Sequence, residues 1–173
     1  MTTNTTTKKR TTSRAKKPTS TSPQNKKLPP NPFMNEILDL VHEQETEEDK
    51  VKILQQYAND ALKTLLIWNF DESIISLLPS GEVPYQPNES PLGTDHSSLR
   101  REFKHLYNFV KGGNDTLSTI RRETIFIQIL ESLHPNEAAV LCLVKDKNLT
   151  SKYDIPFELV EQAYPDIQWG GRS

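Results

Sequence analysis

The first 32 residues confine folding to the rest of the chain. They carry eight basic side chains and no acidic one, and they consist mainly of Thr, Ser, Lys and Pro. Such a segment has too little apolar surface to offset the entropy cost of ordering its backbone. The sequence therefore predicts a disordered basic tail over residues 1–31 and a single folded domain over residues 32–173.

The predicted domain has the opposite charge. After residue 32 the chain carries 13 basic and 23 acidic residues, so the formal net charge of −2 hides a basic tail on an acidic body. A mobile basic tail suits a polyanion or an acidic partner, whereas a strongly negative body opposes the approach of DNA. This organisation points to binding rather than to catalysis.

Apolar residues in the domain recur at helical spacing. Steps of three and four residues repeat in each segment, and no alternating stretch is long enough to indicate a strand. Four prolines between Pro79 and Gly93 mark a connector, because proline lacks a backbone donor. The sequence therefore predicts an all-α fold, a compact domain of about six to seven helices with a Pro-rich connector.

Capping residues suggest where the helices begin. The longest predicted helix covers residues 115–133, and its stretch at residues 125–130 is apolar on nearly every face, which predicts that residues 125–133 are the most buried segment of the domain. A short helical piece is predicted at residues 73–78. The other predicted starts are Asn31-Pro32, Thr46, Asn59 or Asp60, Ser97 or Ser98, His134-Pro135 and the residue after Pro156.

No catalytic, metal or cofactor signature is present. The histidines at 42, 96, 105 and 134 lack the spacing of a zinc site, and Cys142 lies among small apolar residues typical of a core. No apolar stretch reaches the roughly 18 to 20 residues that span a bilayer. A single cysteine fits a reducing, intracellular setting. The sequence predicts a protein that is not an enzyme, needs no cofactor and has no membrane partner.

Basic clusters are the candidate binding residues. They would attract the phosphates of DNA or RNA non-specifically, with Tyr107 or Phe109 available for base stacking. The alternatives are a solvated helix face with Tyr107 in the core, and a tail that only solubilises the chain or pairs with the seven acids of residues 36–49. The candidates are Lys8, Lys9, Arg10, Arg14, Lys16, Lys17, Lys26 and Lys27 in the tail, and Arg100, Arg101, Lys104, Arg121 and Arg122 in the domain.

Four strings carry a resemblance to a known group of proteins, an uncharacterised family of small proteins of T4-like phages, mainly those of marine cyanobacteria. The similarity covers nearly all of residues 33–169, whereas the Thr/Lys-rich tail departs from the family pattern. The resemblance implies no activity and no catalytic residue. It implies action in the cytoplasm of an infected bacterium, or in the virion. The strings are NFDESIISLLPSGEVPYQPNESPLG (69–93), RREFKHLYNFVKG (100–112), RRETIFIQILESLHPNEA (121–138) and VKDKNLTSKYDIPFELVEQAYPDI (144–167).

Taken together, the sequence predicts a non-enzymatic accessory protein. Its acidic helical body is expected to dock on a phage or host protein, and its basic tail is expected to add electrostatic contacts. The alternatives are a nucleic-acid-binding accessory protein in phage DNA metabolism, and a minor virion or assembly protein.

Overall fold

The computed structural model describes residues 26–91, 94 and 96–172. Within those ranges the backbone forms seven α-helices and two 3-10 helices, together with isolated bridges that join Ser76 to Val110 and Ser97 to Leu133. The all-α prediction is confirmed. The helices are α1 (Met34–His42), α2 (Glu47–Gln56), α3 (Asp60–Phe70), α4 (Leu99–Glu102), α5 (Thr119–Ser132), α6 (Pro135–Lys145) and α7 (Phe157–Ala163), and the two 3-10 helices are Phe103–Phe109 and Leu149–Ser151.

The helices pack around a shared apolar core. α1 lies against α2 and α6, α3 packs on α6, and α7 covers α2. Each contributes apolar side chains that are fully or almost fully buried, such as Ile37, Leu62, Leu65 and Val160. The core contact extends back to Leu28, whose backbone N–H donates to the Tyr57 hydroxyl at 3.2 Å. No helix in the described part of the chain is long and apolar enough to cross a membrane.

Three predicted helix starts are confirmed by their caps. The Thr46 hydroxyl accepts the Asp49 N–H, the Asn59 side chain accepts the Leu62 N–H, and the His134 ring accepts the Asn136 N–H. These caps involve residues two or three positions apart, so the local sequence is enough to reveal them.

The predicted start of the first helix at Asn31-Pro32 is wrong. α1 begins at Met34 with Phe33 as its N-cap, and the Glu36 carboxylate accepts the Phe33 N–H at 2.8 Å. Asn31 has a φ of 53° and turns the chain before the helix.

The predicted helical piece at residues 73–78 is also wrong. Here the Leu77 N–H donates to the Phe109 carbonyl and the Lys111 N–H donates to the Ile75 carbonyl. Backbone groups that pair with another segment cannot form the ladder of a helix. The adjacent β-branched residues Ile74 and Ile75 favour this extended geometry.

The predicted helix after Ser98 is an α-helix only in its first turn and then becomes a 3-10 helix. α4 is a single turn, and the chain continues as the 3-10 helix Phe103–Phe109. With three residues per turn instead of 3.6, Leu106 and Phe109 face the core, whereas Tyr107 points outward and is 52 % exposed. α5 begins at Thr119 rather than at residue 115, and the Ser118 hydroxyl caps it by accepting the Arg121 N–H.

α5 is not the most buried segment. Phe126, Ile129 and Leu130 are buried, but Ile125 and Ile127 are half-buried and Gln128 is exposed. The helix packs against α6 and the 3-10 helix on one side only, so its apolar circumference is not fully covered. α1 and α3 bury more of their side chains.

This difference predicts unequal effects of two similar substitutions. Leu130→Ala should cost about 3 kcal/mol because it leaves a cavity in a closed core, whereas Ile127→Ala should cost about 1 kcal/mol because solvent can fill the space. Chemical denaturation of the two variants measures both values. Equal losses would contradict the one-sided burial of α5.

Candidate interaction surface

A buried carboxylate joins the starts of three helices. Glu137 is the third residue of α6 and is fully buried. Its Oε2 accepts the Met34 N–H at 2.9 Å, and its Oε1 accepts the Leu99 N–H at 3.0 Å. Met34 and Leu99 are the first residues of α1 and α4, whose N–H groups have no partner within their own helices. Glu137 therefore fixes α1 and α4 against α6.

Other ionisable side chains surround the Glu137 carboxylate. Burial raises the pKa of Glu137, whereas the two N–H donors and the charge of Arg100 act against that rise. The Arg100 Nε donates to the Pro32 carbonyl at 3.0 Å. The fold also brings the rings of His96 and His134 to 5.3 Å from each other, which their separation in the sequence conceals. Burial and the nearby His96 lower the pKa of His134.

A second buried carboxylate holds the C-terminal segment. Asp71 accepts the Gly170 N–H at 3.0 Å and the Ser73 hydroxyl at 2.6 Å, and it pairs with Arg172. Burial alone would raise the pKa of Asp71, but these hydrogen bonds outweigh it and bring the pKa to about 2, compared with an ordinary value of 3.8. The ionised form of Asp71 therefore stabilises the fold.

This pKa predicts an acid-dependent loss of stability. Because the folded-state pKa is lowered, the stabilisation from Asp71 is present above about pH 4 and disappears as the pH falls towards 2, a change of about 2 kcal/mol. Asp71→Asn should remove this part of the pH dependence. The measurement is the unfolding free energy of both proteins between pH 5 and pH 2, and parallel curves would contradict it.

A cleft of about 720 Å³ lies beside Asp71. Phe70, Phe157 and Trp169 form one side, with ring centroids 6.0 Å and 5.0 Å apart along the series. The Lys147 ammonium donates to the Asp71 carbonyl at the same place, and burial lowers its pKa. Asp71, Ser73, Lys147 and Gly170 already bind one another in this cleft, and these contacts hold the C-terminal segment in place.

Most basic side chains of the body are used within the fold. Lys50 pairs with Asp154, and Lys145 donates to Asp146 and to the carbonyls of Pro79 and Gly81. The segment from residue 97 to residue 122 differs. Four exposed bases of this described segment make no side-chain hydrogen bond or ion pair: Arg101, Lys104, Lys111 and Arg121.

Large exposed apolar side chains lie beside these bases. Ile120 is 81 % exposed and adjoins Arg121, and Tyr107 is one 3-10 turn after Lys104. Ile75 is 45 % exposed and lies opposite Lys111, whose N–H it accepts at 2.9 Å. We call this set the α4–α5 surface: the bases Arg101, Lys104, Lys111 and Arg121 and the apolar residues Ile75, Tyr107 and Ile120.

Arg122 holds the α4–α5 surface together from below. It is buried, and its guanidinium donates to three backbone carbonyls, those of Asn108 at 2.9 Å, Asn114 at 3.1 Å and Leu117 at 3.0 Å. These contacts connect the 3-10 helix and the following loop to the start of α5. Gly113 lies against the backbone of Tyr107, where an added Cβ would come within 1.9 Å of its carbonyl oxygen.

The structure corrects three candidates for polyanion binding. Arg122 is unavailable because it is buried and its guanidinium donates to three backbone carbonyls. Phe109 cannot stack on a base because it is fully buried in the core. Arg100 is half-buried and engaged with Pro32, so it is not a free cation. Tyr107 is exposed, and the alternative that placed it in the core is therefore wrong.

The remaining candidates divide into two groups. Arg101, Lys104 and Arg121 are exposed and lie on the α4–α5 surface. At the end of the tail, Lys27 is exposed. The Lys26 ammonium lies 3.7 Å from the Glu43 carboxylate, as expected for an ion pair if the tail contacts the acids of residues 36–49. Six candidates lie outside the described residues: Lys8, Lys9, Arg10, Arg14, Lys16 and Lys17.

Sequence reasoning missed several residues that the fold makes important. Glu137 binds groups 103 and 38 residues away, and no local pattern reveals such contacts. Ile120 gave a weak signal, because it is an apolar residue in a helical first turn next to two arginines. Ile75 was assigned to a helix that does not form.

Comparison with known proteins identifies a family. Residues 37–151, well over half of the 173-residue chain, match the model of a family of unknown function, DUF6433. No curated protein and no solved structure matches the chain. The matched region includes most of α1 and all of α2 to α6, and therefore most of the core and all of the α4–α5 surface. The chain thus belongs to the family of unknown function DUF6433.

Proposed function

We propose that the protein is a non-enzymatic interaction protein whose helical body docks on another protein through the α4–α5 surface. One observation carries the proposal: each large exposed hydrophobic side chain of the described residues is close to an unpaired base, either along the chain or across a backbone hydrogen bond. Clustered exposed apolar residues mark interaction sites, and Tyr and Arg are enriched at the centres of protein interfaces. The basic tail adds electrostatic contacts to the same complex.

The biological setting is part of the proposal. The resemblance to proteins of T4-like phages supports a role in an infected bacterium, with a phage or host protein as the partner. The family region contains the α4–α5 surface but not the tail. We therefore assign the docking itself to the body.

Nucleic-acid binding is the second candidate. Lys104 and Tyr107 lie three residues apart on the 3-10 helix, which places their side chains in one row, and Arg101 lies on α4 just before it. Two cations followed by an aromatic ring suit a single strand, whose phosphates and bases need those groups. The strongly acidic body weakens this candidate, because its field opposes a polyanion.

A pull-down from infected cells tests the proposal. The baits are the full-length protein, a tail variant with Gln at every Lys and Arg from residue 8 to residue 27, and the surface variant Lys104→Glu/Ile120→Asp. The wild type and the tail variant should retain the same protein at moderate salt, and the surface variant should lose it, because an interface centre tolerates neither charge reversal nor a buried carboxylate.

The same experiment distinguishes nucleic-acid binding from protein docking. If nucleic acid is the ligand, nuclease treatment should release the recovered material, and binding of an oligonucleotide should weaken with salt with a log–log slope of about −0.7 to −0.9 per phosphate contact. Equal recovery by the wild type and the surface variant would contradict docking through the α4–α5 surface.

A further inference from the structure

We infer that the partner segment that docks on the α4–α5 surface is acidic and carries apolar side chains, and that Arg122 is the positioning residue of this site. The inference rests on the proposed function and specifies the chemistry of the partner. It follows from three properties of the surface: its charge, its aliphatic side chains and its rigidity.

Bases outnumber acids in the segment that carries the surface. Residues 97–122 hold six Lys or Arg and two carboxylates. Within the described residues, neither carboxylate pairs with a base: Glu102 accepts the Ser97 hydroxyl at 2.5 Å, and Asp115 accepts the Gly112 N–H at 2.9 Å. The unpaired bases therefore present a local positive field on an otherwise acidic body. Carboxylates of a partner would complement that field, and complementary charge raises the association rate and selects the partner.

The aliphatic residues distinguish a protein from a polynucleotide. Tyr107 could pack on a base or on a protein side chain. Ile120 and Ile75, by contrast, gain stability only when apolar groups cover them. A phosphate backbone offers no such groups and a nucleobase offers only a flat ring face, whereas Leu, Ile or Phe side chains between the acids of a protein segment cover aliphatic groups from several sides. The combination of cations and aliphatic side chains therefore favours the protein partner.

The spacing of the row fits a helical partner. From Lys104 to Tyr107 the 3-10 helix advances about 6 Å, at about 2 Å per residue. Residues four positions apart on an α-helix are separated by about the same distance. One face of an acidic amphipathic helix could thus place a carboxylate near Lys104 and an apolar side chain on Tyr107.

The site is organised before the partner arrives. The Arg122 guanidinium fixes the three carbonyls beneath the surface, and Gly113 lets the loop approach Tyr107 closely. A preformed surface loses less conformational entropy on binding. Arg122→Lys keeps the charge, but the lysine ammonium lacks the planar guanidinium that donates to all three carbonyls. This variant should therefore weaken binding although Arg122 itself touches no partner.

A random 12-residue peptide library, displayed and selected on the full-length tail variant, tests the inference without knowledge of the partner. We expect the enriched peptides to combine Asp or Glu with Leu, Ile or Phe. A synthetic copy of the enriched peptide should bind at least tenfold more weakly to Lys104→Gln/Ile120→Ser, as for the loss of interface-centre contacts. The matched control on α7, Glu158→Gln/Gln162→Ser, changes exposed residues and should bind the peptide like the parent.

Four results would overturn the inference: no enrichment, enrichment of peptides without acids, peptides that bind the surface variant unchanged, or full peptide affinity in Arg122→Lys. A labelled 20-residue oligo(dT) provides the other arm. The surface is a nucleic-acid site if the oligonucleotide binds the tail variant, if its affinity depends on Lys104 and Tyr107, and if Ile120→Ser leaves that affinity unchanged. A failed selection together with a successful pull-down would reject the partner chemistry but keep the proposed function.

Discussion

Glu137→Ala should lower the unfolding free energy by about 4 kcal/mol. The substitution removes two charge-assisted hydrogen bonds and leaves the Met34 and Leu99 N–H groups without partners at a fully buried position. It also leaves the charge of Arg100 without its nearby carboxylate. Chemical denaturation at neutral pH measures the loss.

Two other variants make this prediction specific. Glu137→Gln keeps one acceptor oxygen and avoids a buried charge, so it should lose about half as much. Glu158 lies in the first turn of α7 but is exposed, and Glu158→Ala should cost no more than about 1 kcal/mol, the range of a helix-dipole contact. If Glu137→Ala and Glu158→Ala lost similar amounts of unfolding free energy, Glu137 would not fix α1 and α4 against α6.

Arg122→Ala should cost about 4 kcal/mol, because three backbone carbonyls lose their donors in a buried environment. Arg121→Ala is the matched control. This neighbouring arginine is exposed and has no polar partner, so its removal should change the unfolding free energy by less than about 0.5 kcal/mol.

The two arginines should also separate stability from binding. Arg121→Ala removes a cation of the α4–α5 surface and should weaken docking while the fold keeps its stability. Arg122→Lys should weaken both. If the thermal melts of Arg121→Ala and Arg122→Ala coincided, the buried network around Arg122 would not hold the surface.

The sequence predicts best the features that depend on near neighbours. Thr46, Asn59 and His134 cap helices through contacts with residues two or three positions ahead, and their identity reveals the contact. The apolar spacing likewise predicted the all-α class. Both signals are complete within a window of a few residues.

The errors arose where distant groups decide the structure. Residues 73–78 have helical spacing, but their backbone pairs with the segment after the 3-10 helix. Arg122 lies on the same face of α5 as Phe126 and Leu130, and only the three distant carbonyls explain why an arginine is buried there. A periodic pattern cannot contain this information.

The sequence predicted the basic residues of the α4–α5 surface but not its apolar residues, for a related reason. Sequence reasoning found the excess of bases between residues 97 and 122, but it could not tell free bases from engaged ones. The change from α to 3-10 winding after Glu102 exposes Tyr107, and the lost helix at residues 73–78 exposes Ile75. The apolar half of the surface therefore became visible only in three dimensions.

Site-specific photocrosslinking in cells that produce the protein tests the central claim most directly. A photoreactive phenylalanine analogue would replace Tyr107 or Ile120 in the α4–α5 surface, or Gln162 on the exposed side of α7 as the control. The account predicts one protein crosslinked through Tyr107 and through Ile120, and none through Gln162. A crosslink through Gln162 alone, or crosslinks from the surface to nucleic acid and not to protein, would contradict it.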